Sequence, residues 1–394
     1  MRLVMDLQAC QTEASRHRGV ARYALSLAAH LSRLNNGLDL RFTYSEAYPH
    51  AVNDILKMIE HQVSRQRATG YNYPSLQRMY PGERNTTTRI AATLINQHWL
   101  SLQPDILLIS HVFEGYTGEA IIPHRLPKIP GLLRSTILYD LIPLRFPGIY
   151  FEDRLFQKWY LEKLGTLRDC DLVLAISDSS RNDAIELLNI HPEKIVTIWG
   201  GIDSHFRQKD IQPTEHAAFR EKFKLRGRFV LFTGGDEYRK NIEGAIAGFA
   251  TLLSETRRDV QLVVVCNMDP GRRTLYMEKV VRHGLTVDDV LFTGFVSEED
   301  LVTFYNLCEV FVYPSLYEGL GLPVLEAMAC GAPVIAANNS SICEIVVRED
   351  ALFDTKNPEA LAERLARVLD DGNFRQDLKR YGPQRAKRFT WERT

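Results

Sequence analysis

Several things are scarce in this 394-residue chain. Its six cysteines, Cys10, Cys170, Cys266, Cys308, Cys330 and Cys343, contain no C-x-x-C pair. Free, mostly buried thiols in a reducing compartment are expected. An excess of either charge is missing too: 48 Lys and Arg against 49 Asp and Glu leave a net charge of −1, which gives no general attraction to nucleic acid or anionic lipid. No apolar run approaches the ~18 residues that span a bilayer. The opening Arg2-Leu-Val-Met-Asp-Leu7 reads as a strand, without a charged-then-apolar leader. The expectation is a cytoplasmic protein, at most peripheral to the inner face of the cytoplasmic membrane. No short sequence repeat is visible.

What is present is ordinary in bulk and specific in detail. Hydrophobic residues make up 45% and charged residues 25%, values typical of a globular protein, and the length allows roughly two to three domains. Short apolar runs alternate with amphipathic ones, the pattern of an α/β protein with parallel sheets. Strands are predicted at Arg2–Leu7, Ile106–Ser110, Thr136–Tyr139 and Leu172–Ile176. A second series is predicted at Phe229–Phe232, Gln261–Cys266, Val290–Phe292, Val310–Val312 and Pro333–Ala336. Val20, Tyr23, Ala24, Leu27, Leu31 and Leu34 mark one face of a helix starting after Gly19. The break falls near 201–212, between two Rossmann-like halves. Polar residues follow the strands: His111, Asp140, and Ser177 with Ser179, where ligands gather in open α/β sheets. Ser177 and Ser179 read equally well as helix caps. Residues 64–89 mix Tyr71, Tyr73, Tyr80, Arg67 and Arg84 with Gly and Pro, as an acceptor-binding loop or an ordinary surface loop. Asp169-Cys-Asp171 is a bare D-x-D before a strand, and no metal site is expected there.

The narrowest pattern is Glu318-Gly-Leu-Gly-Leu-Pro-Val-Leu-Glu326, running on to Gly331. Pro323 suits the first helical position and Gly331 the stop, so a short helix over about Pro323 to Ala329 is predicted. Gly319 and Gly321 then leave the backbone bare at a helix N-terminus, a place that suits phosphate. The two glutamates can reach hydroxyls on either side of such an anion. That geometry fits a sugar–diphosphate–nucleoside.

This segment resembles the E-x7-E motif of the GT4 family of retaining glycosyltransferases. The likeness continues through Leu291 to Tyr305, with Phe295 and Val296 on the nucleotide side, and through Val312-Tyr-Pro-Ser315 and Gly331-Ala-Pro-Val-Ile335. Thr233-Gly-Gly-Asp-Glu-Tyr-Arg-Lys-Asn241 resembles the motif whose lysine and arginine clamp the donor diphosphate, which implies that role for Lys240 and Arg239 with Gly234 and Gly235 beside them. Many relatives carry an arginine where Gly235 stands. Arg16-His-Arg-Gly19 is similar to the N-terminal glycine loop, with Gly19 alone kept. His111 matches a histidine that touches the donor sugar, and Asp140 matches the aspartate of a His-Asp pair, with Tyr139 in place of the histidine.

The resemblance implies an α/β GT-B fold: two Rossmann-like domains facing each other across a cleft. Residues 1–203 would bind acceptor, 204–385 would bind nucleotide sugar, and 386–394 would begin a crossover segment, cut short, of a longer polypeptide. Glu326 would hold the ribose, Glu318 the donor sugar, and the backbone of Gly319, Leu320, Gly321, Leu322 and Leu325 the diphosphate. The chain most resembles bacterial mannosyltransferases that build polymannose O antigens. That implies GDP-mannose as donor, a carbohydrate or lipid-linked glycan as acceptor, no further cofactor, no metal, and front-face transfer with retention. UDP-glucose or UDP-N-acetylglucosamine as donor, a sugar-nucleotide epimerase, and a non-catalytic glycan-binding subunit are the alternatives.

Overall fold

The computed structural model describes residues 1–12, 15–16, 18–34, 37–60, 67–73, 86–116 and 120–394. The chain divides into two compact units, Met1–Gly200 with Trp391–Thr394, and Gly201–Thr390.

In the first unit, β1 (Arg2–Asp6), β2 (Asp39–Ser45), β3 (Ala68–Tyr71), β4 (Ile106–Ile109), β5 (Leu133–Leu138), β6 (Leu172–Ala175) and β7 (Ile195–Thr197) form one sheet. Its order is β3-β2-β1-β4-β5-β6-β7, and every pairing is parallel. In the second unit, β8 (Arg228–Thr233), β9 (Val260–Val265), β10 (Val290–Phe292), β11 (Val310–Tyr313), β12 (Val334–Ala337) and β13 (Leu352–Phe353) lie in the order β10-β9-β8-β11-β12-β13. These too pair only in parallel. Strands buried on both faces read as continuous apolar runs, and β9 (VQLVVV), β11 and β12 are buried throughout.

Each sheet therefore contains the doubly wound order in which the winding reverses beside the first strand. Ligands collect at that reversal, outside the strand C-termini. The reversal lies between β1 and β4 in the first unit and between β8 and β11 in the second.

Helices flank these sheets as the sequence pattern expects. The helix Gly19–Arg33 buries Ala21, Tyr23, Ala24, Leu27 and Ala28, whereas Leu34 falls past its end and is exposed. Trp391 returns to the first unit and packs edge-on against Tyr23 at 5.0 Å and stacked on His30 at 5.9 Å. Among the described residues no helix is long and apolar enough to cross a membrane.

The structure corrects the acceptor-loop reading of Tyr71 and Tyr73. Both are buried, because β3 pairs with β2 and carries Tyr71 over the end of β1. The Tyr71 phenol donates to Asp6 Oδ1 at 2.9 Å and accepts from Gln8 Nε2 at 2.8 Å. Tyr73 accepts from Ser45 Oγ at 3.2 Å. Ser64, Tyr80 and Arg84, assigned to the same loop, lie outside the described residues. Asp171 of the D-x-D forks onto Arg134, with Nε 2.9 Å and Nη2 2.8 Å from its oxygens, and so ties β5 to the start of β6.

Candidate functional site

In the second unit, β8 ends at Thr233 and the chain turns through Gly234 and Gly235 into a single 3-10 turn, Tyr238–Lys240. Asn241, in the left-handed region at φ 55°, caps the next helix by accepting from Gly244 N at 3.1 Å. The turn aims Arg239 and Lys240 across to β11. There Glu318 takes Lys240 Nζ at 2.7 Å on Oε1 and Arg239 Nη1 at 2.6 Å on Oε2. Ser315 Oγ (2.7 Å) and the Tyr313 phenol (2.8 Å) also donate to Oε1, and Tyr313 accepts from Lys240 at 2.7 Å. The expected clamp residues and the first glutamate of the motif thus form one cluster at the sheet's reversal point, with Lys240 and Glu318 buried and Arg239 partly so.

Burial alone would raise the Glu318 carboxyl, but the two cations overcome it and hold the group at about 2. Burial pulls the Lys240 ammonium below its ordinary range, against the attraction of Glu318. The two tendencies oppose each other, and the carboxylate decides: it answers to two cations, so the cluster is held ionised.

Glu326 sits eight positions on, in the helix Leu322–Ala329, which starts one residue before the expected Pro323. It is buried and accepts from the Tyr305 phenol at 3.1 Å, itself 3.0 Å from Thr233 Oγ1. The loop between the glutamates is fastened on both sides. Leu316 N donates to Arg239 O at 2.7 Å, Glu318 N donates to Ser340 Oγ at 3.0 Å, and Ser341 Oγ lies 2.9 Å from the carbonyls of Glu318 and Leu320. Gly321 caps the helix at φ 94°, and a Cβ there would sit 2.6 Å from Ile342 Cδ1. Leu320 and Leu325 point into the core, so only their backbone is available to a ligand.

Beside this cluster the Glu237 carboxylate lies against Gly235 at the place a Cβ would take, so a side chain there would have to displace it. A cation reaches the same loop from elsewhere: Arg272, in the helix Pro270–Arg282, donates to Asp236 Oδ2 at 2.9 Å and packs on Tyr276. Phe295, after Gly294 and just before Val296, is 81% exposed at the end of β10. Ser297 then caps the following helix.

In the first unit, the ends of β1, β4 and β5 bring Gly19, His111 and Asp140 into one neighbourhood. Gly19 begins its helix, and a Cβ there would meet nothing within 4 Å. The Tyr139 phenol donates to Val20 O at 3.2 Å, and its ring lies edge-on to His111 at 5.2 Å. Asp140 Oδ1 accepts from Ile142 N at 3.1 Å, and Ser177 caps the helix Asp178–Leu188 through Ser180 N. His111 Nδ1 lies 2.9 Å from the buried Glu114.

Sequence reasoning passed over Glu114, Tyr313, Tyr305, Ser341 and Arg272. Tyr313 and Tyr305 stood inside quoted motifs without a role, and Glu114, three positions after a strand-end histidine, offered only that spacing as a signal.

Comparison with known proteins follows the same division. The family model described as "Glycosyltransferase Family 4" matches residues 17–206, and "Glycosyl transferases group 1" matches 214–385. The serotype-specific mannosyltransferase WbdA of Escherichia coli is 30% identical over 294 residues, 75% of this chain. The match covers 36% of WbdA, so the chain spans about a third of that relative's length. The O-antigen chain mannosyltransferase B of Escherichia coli is 31% identical over 274 residues, 69% of each chain. Among solved structures, HepE of Anabaena in complex with UDP and glucose superposes with a TM-score of 0.70 over 99% of this chain and 95% of its own, at 15% identity. Two doubly wound sheets, each matched by its own family model, and a relative aligned across both make this chain a member of the GT4 glycosyltransferases, with the GT-B fold.

Proposed function

We propose that the chain moves a hexose, mannose from GDP-mannose, to a hydroxyl of a growing bacterial glycan such as an O-antigen polysaccharide. In this reading the second unit binds the nucleotide sugar and the first binds the acceptor, which is a carbohydrate or a lipid-linked glycan. The observation that carries it is the Arg239–Glu318–Lys240 cluster at the β8/β11 reversal, with Glu326 one short helix away. Arg239 and Lys240 would meet the diphosphate together with the backbone from Gly319 to Leu325. Glu318 would take the sugar hydroxyls and Glu326 the ribose, with Gly234, Gly235, Phe295 and Val296 along the nucleotide. The mannosyl donor is supported by the two Escherichia coli relatives, both named as mannosyltransferases.

As the glycosidic bond breaks, negative charge grows on the departing β-phosphate. Fixed cations and amides at that point stabilise the transition state more than the ground state. Arg239 gives a planar fork and Lys240 a compact point charge, both suited to phosphate oxygens. Transfer is proposed to keep the anomeric configuration, with the acceptor attacking from the side the phosphate leaves and the phosphate taking its proton. His111 and Asp140 would orient the reacting hydroxyls, and neither a metal nor a separate base is required.

Thermal unfolding with GDP, UDP or ADP, each with and without EDTA, tests this directly. A ligand at ~100 times its Kd adds about 2.7 kcal/mol to native stability. Stabilisation by GDP, indifferent to EDTA, is expected. Stabilisation by UDP alone would replace the donor, and no response to any nucleotide would remove the transferase reading of the site.

A further inference from the structure

The first unit holds a carboxylate that the transfer described above leaves without a task. Glu114 is 3% exposed and lies just beyond β4, three residues after His111. Its Oε1 accepts from His111 Nδ1 at 2.9 Å and from Ser15 Oγ at 2.5 Å, and its Oε2 accepts from Thr12 Oγ1 at 2.8 Å. Three donors converge on one buried group. Two come from the segment between β1 and Gly19 and one from the strand-end histidine. A carboxylate so engaged is a poor nucleophile, but it fixes what donates to it.

The histidine is the consequential donor. An ionised carboxylate only accepts, so Nδ1 carries the hydrogen and Nε2 is the nitrogen left for substrate. The ring is boxed as well, edge-on to Tyr139 at 5.2 Å and to Phe113 at 5.7 Å, with 15% of the side chain still open. Asp140, the acidic residue first assigned to this region, turns Oδ1 to the Ile142 amide instead.

We propose that Glu114 is a positioning residue for His111. It selects the Nδ1–H tautomer, holds the ring at the end of β4, and through Ser15 and Thr12 pins the loop that leads to Gly19 beside it. Nε2 is thereby left as the ring nitrogen that meets a sugar hydroxyl. The catalytic part of this statement rests on the transferase reading. The tautomer does not, and the two are separable.

The ring spectrum comes first. Imidazole 15N and 13C shifts of the full chain, assigned to His111 by difference from His111→Gln, should show the Nδ1–H form in the wild type. In Glu114→Ala they should move toward the Nε2–H form common in water. An Nε2–H ring in the wild type would overturn the proposal, whether or not the chain transfers sugar. Kinetics follow on the active chain. Glu114→Ala should lower kcat about tenfold to a hundredfold, the usual loss when the partner that orients a working group is removed, with donor KM within about threefold. Glu114→Gln keeps an acceptor for Nδ1–H and should retain most of the rate even where the alanine variant folds poorly. Adding Glu114→Ala to His111→Ala should cost nothing further. Full additivity of the two, or a glutamine variant as slow as the alanine one, would make Glu114 a structural residue only.

Discussion

Glu318 carries the sharpest electrostatic consequence in the molecule. A carboxyl held lower in the folded chain than in the unfolded one stabilises the fold above its unfolded value, and that contribution is lost as pH falls through the folded value. For Glu318 the ordinary value is 4.5 and the folded one about 2. Glu318→Gln should therefore be less stable than the wild type at pH 7, on the order of 3 kcal/mol for a carboxylate that answers one buried and one partly buried cation. The gap should close steadily from pH 4.5 toward pH 2. Urea titrations of both proteins across that range measure it. A gap that stays constant would mean that Arg239 and Lys240 do not hold the carboxylate ionised.

At the scale of elements, the segment between the glutamates depends on one backbone position. Gly321 stands at φ 94°, with Ile342 Cδ1 2.6 Å from where a Cβ would be. Gly321→Ala should cost about 1–3 kcal/mol from the backbone alone, and it should raise the donor KM by shifting the helix start. Denaturant unfolding and donor titration check the two effects; an unchanged KM would separate this helix from donor binding.

The motif around this glycine was legible because its chemistry is local: glycine, proline and glutamate at fixed spacing announce a loop entering a helix. The buried strands were legible for a similar reason, since Val260–Val265 and Val310–Tyr313 are buried throughout and apolar but for Gln261. β2 was missed because Asp39-Leu-Arg-Phe-Thr-Tyr-Ser45 carries two charges, and only the fold pairs its Asp39 with Arg41 and with Arg2 of β1. β3, Ala68-Thr-Gly-Tyr71, has no apolar run, β7 leaves Val196 exposed, and β13 has only two residues. Tyr71 looked like a stacking residue in a polar loop, and only pairing across the sheet reveals its buried partner Asp6. The Glu114 cluster joins residues about 100 positions apart in sequence, so spacing could not disclose it.

For the molecule as a whole, the order of the chain and the division into units do not coincide. After passing through Gly201–Thr390 the backbone gives Trp391–Thr394 to the first unit. Trp391 is 5% exposed there, against Tyr23 and His30. Trp391→Ala should lose about 3–5 kcal/mol, as large aromatic truncations in a packed site do. The loss should appear in the unfolding of the first unit, read by hydrogen exchange at β1 and the helix Gly19–Arg33. Unchanged protection there would make Trp391 a surface ornament of that unit.

The central claim is glycosyl transfer driven by the cations at the β8/β11 reversal, and its most direct test is single-turnover transfer from GDP-mannose to a glycan acceptor by the wild type and Lys240→Ala. Loss of one charge-stabilising donor should lower kcat by roughly a hundredfold or more, with Lys240→Ala still folded. Transfer by Lys240→Ala at the wild-type rate would contradict the account.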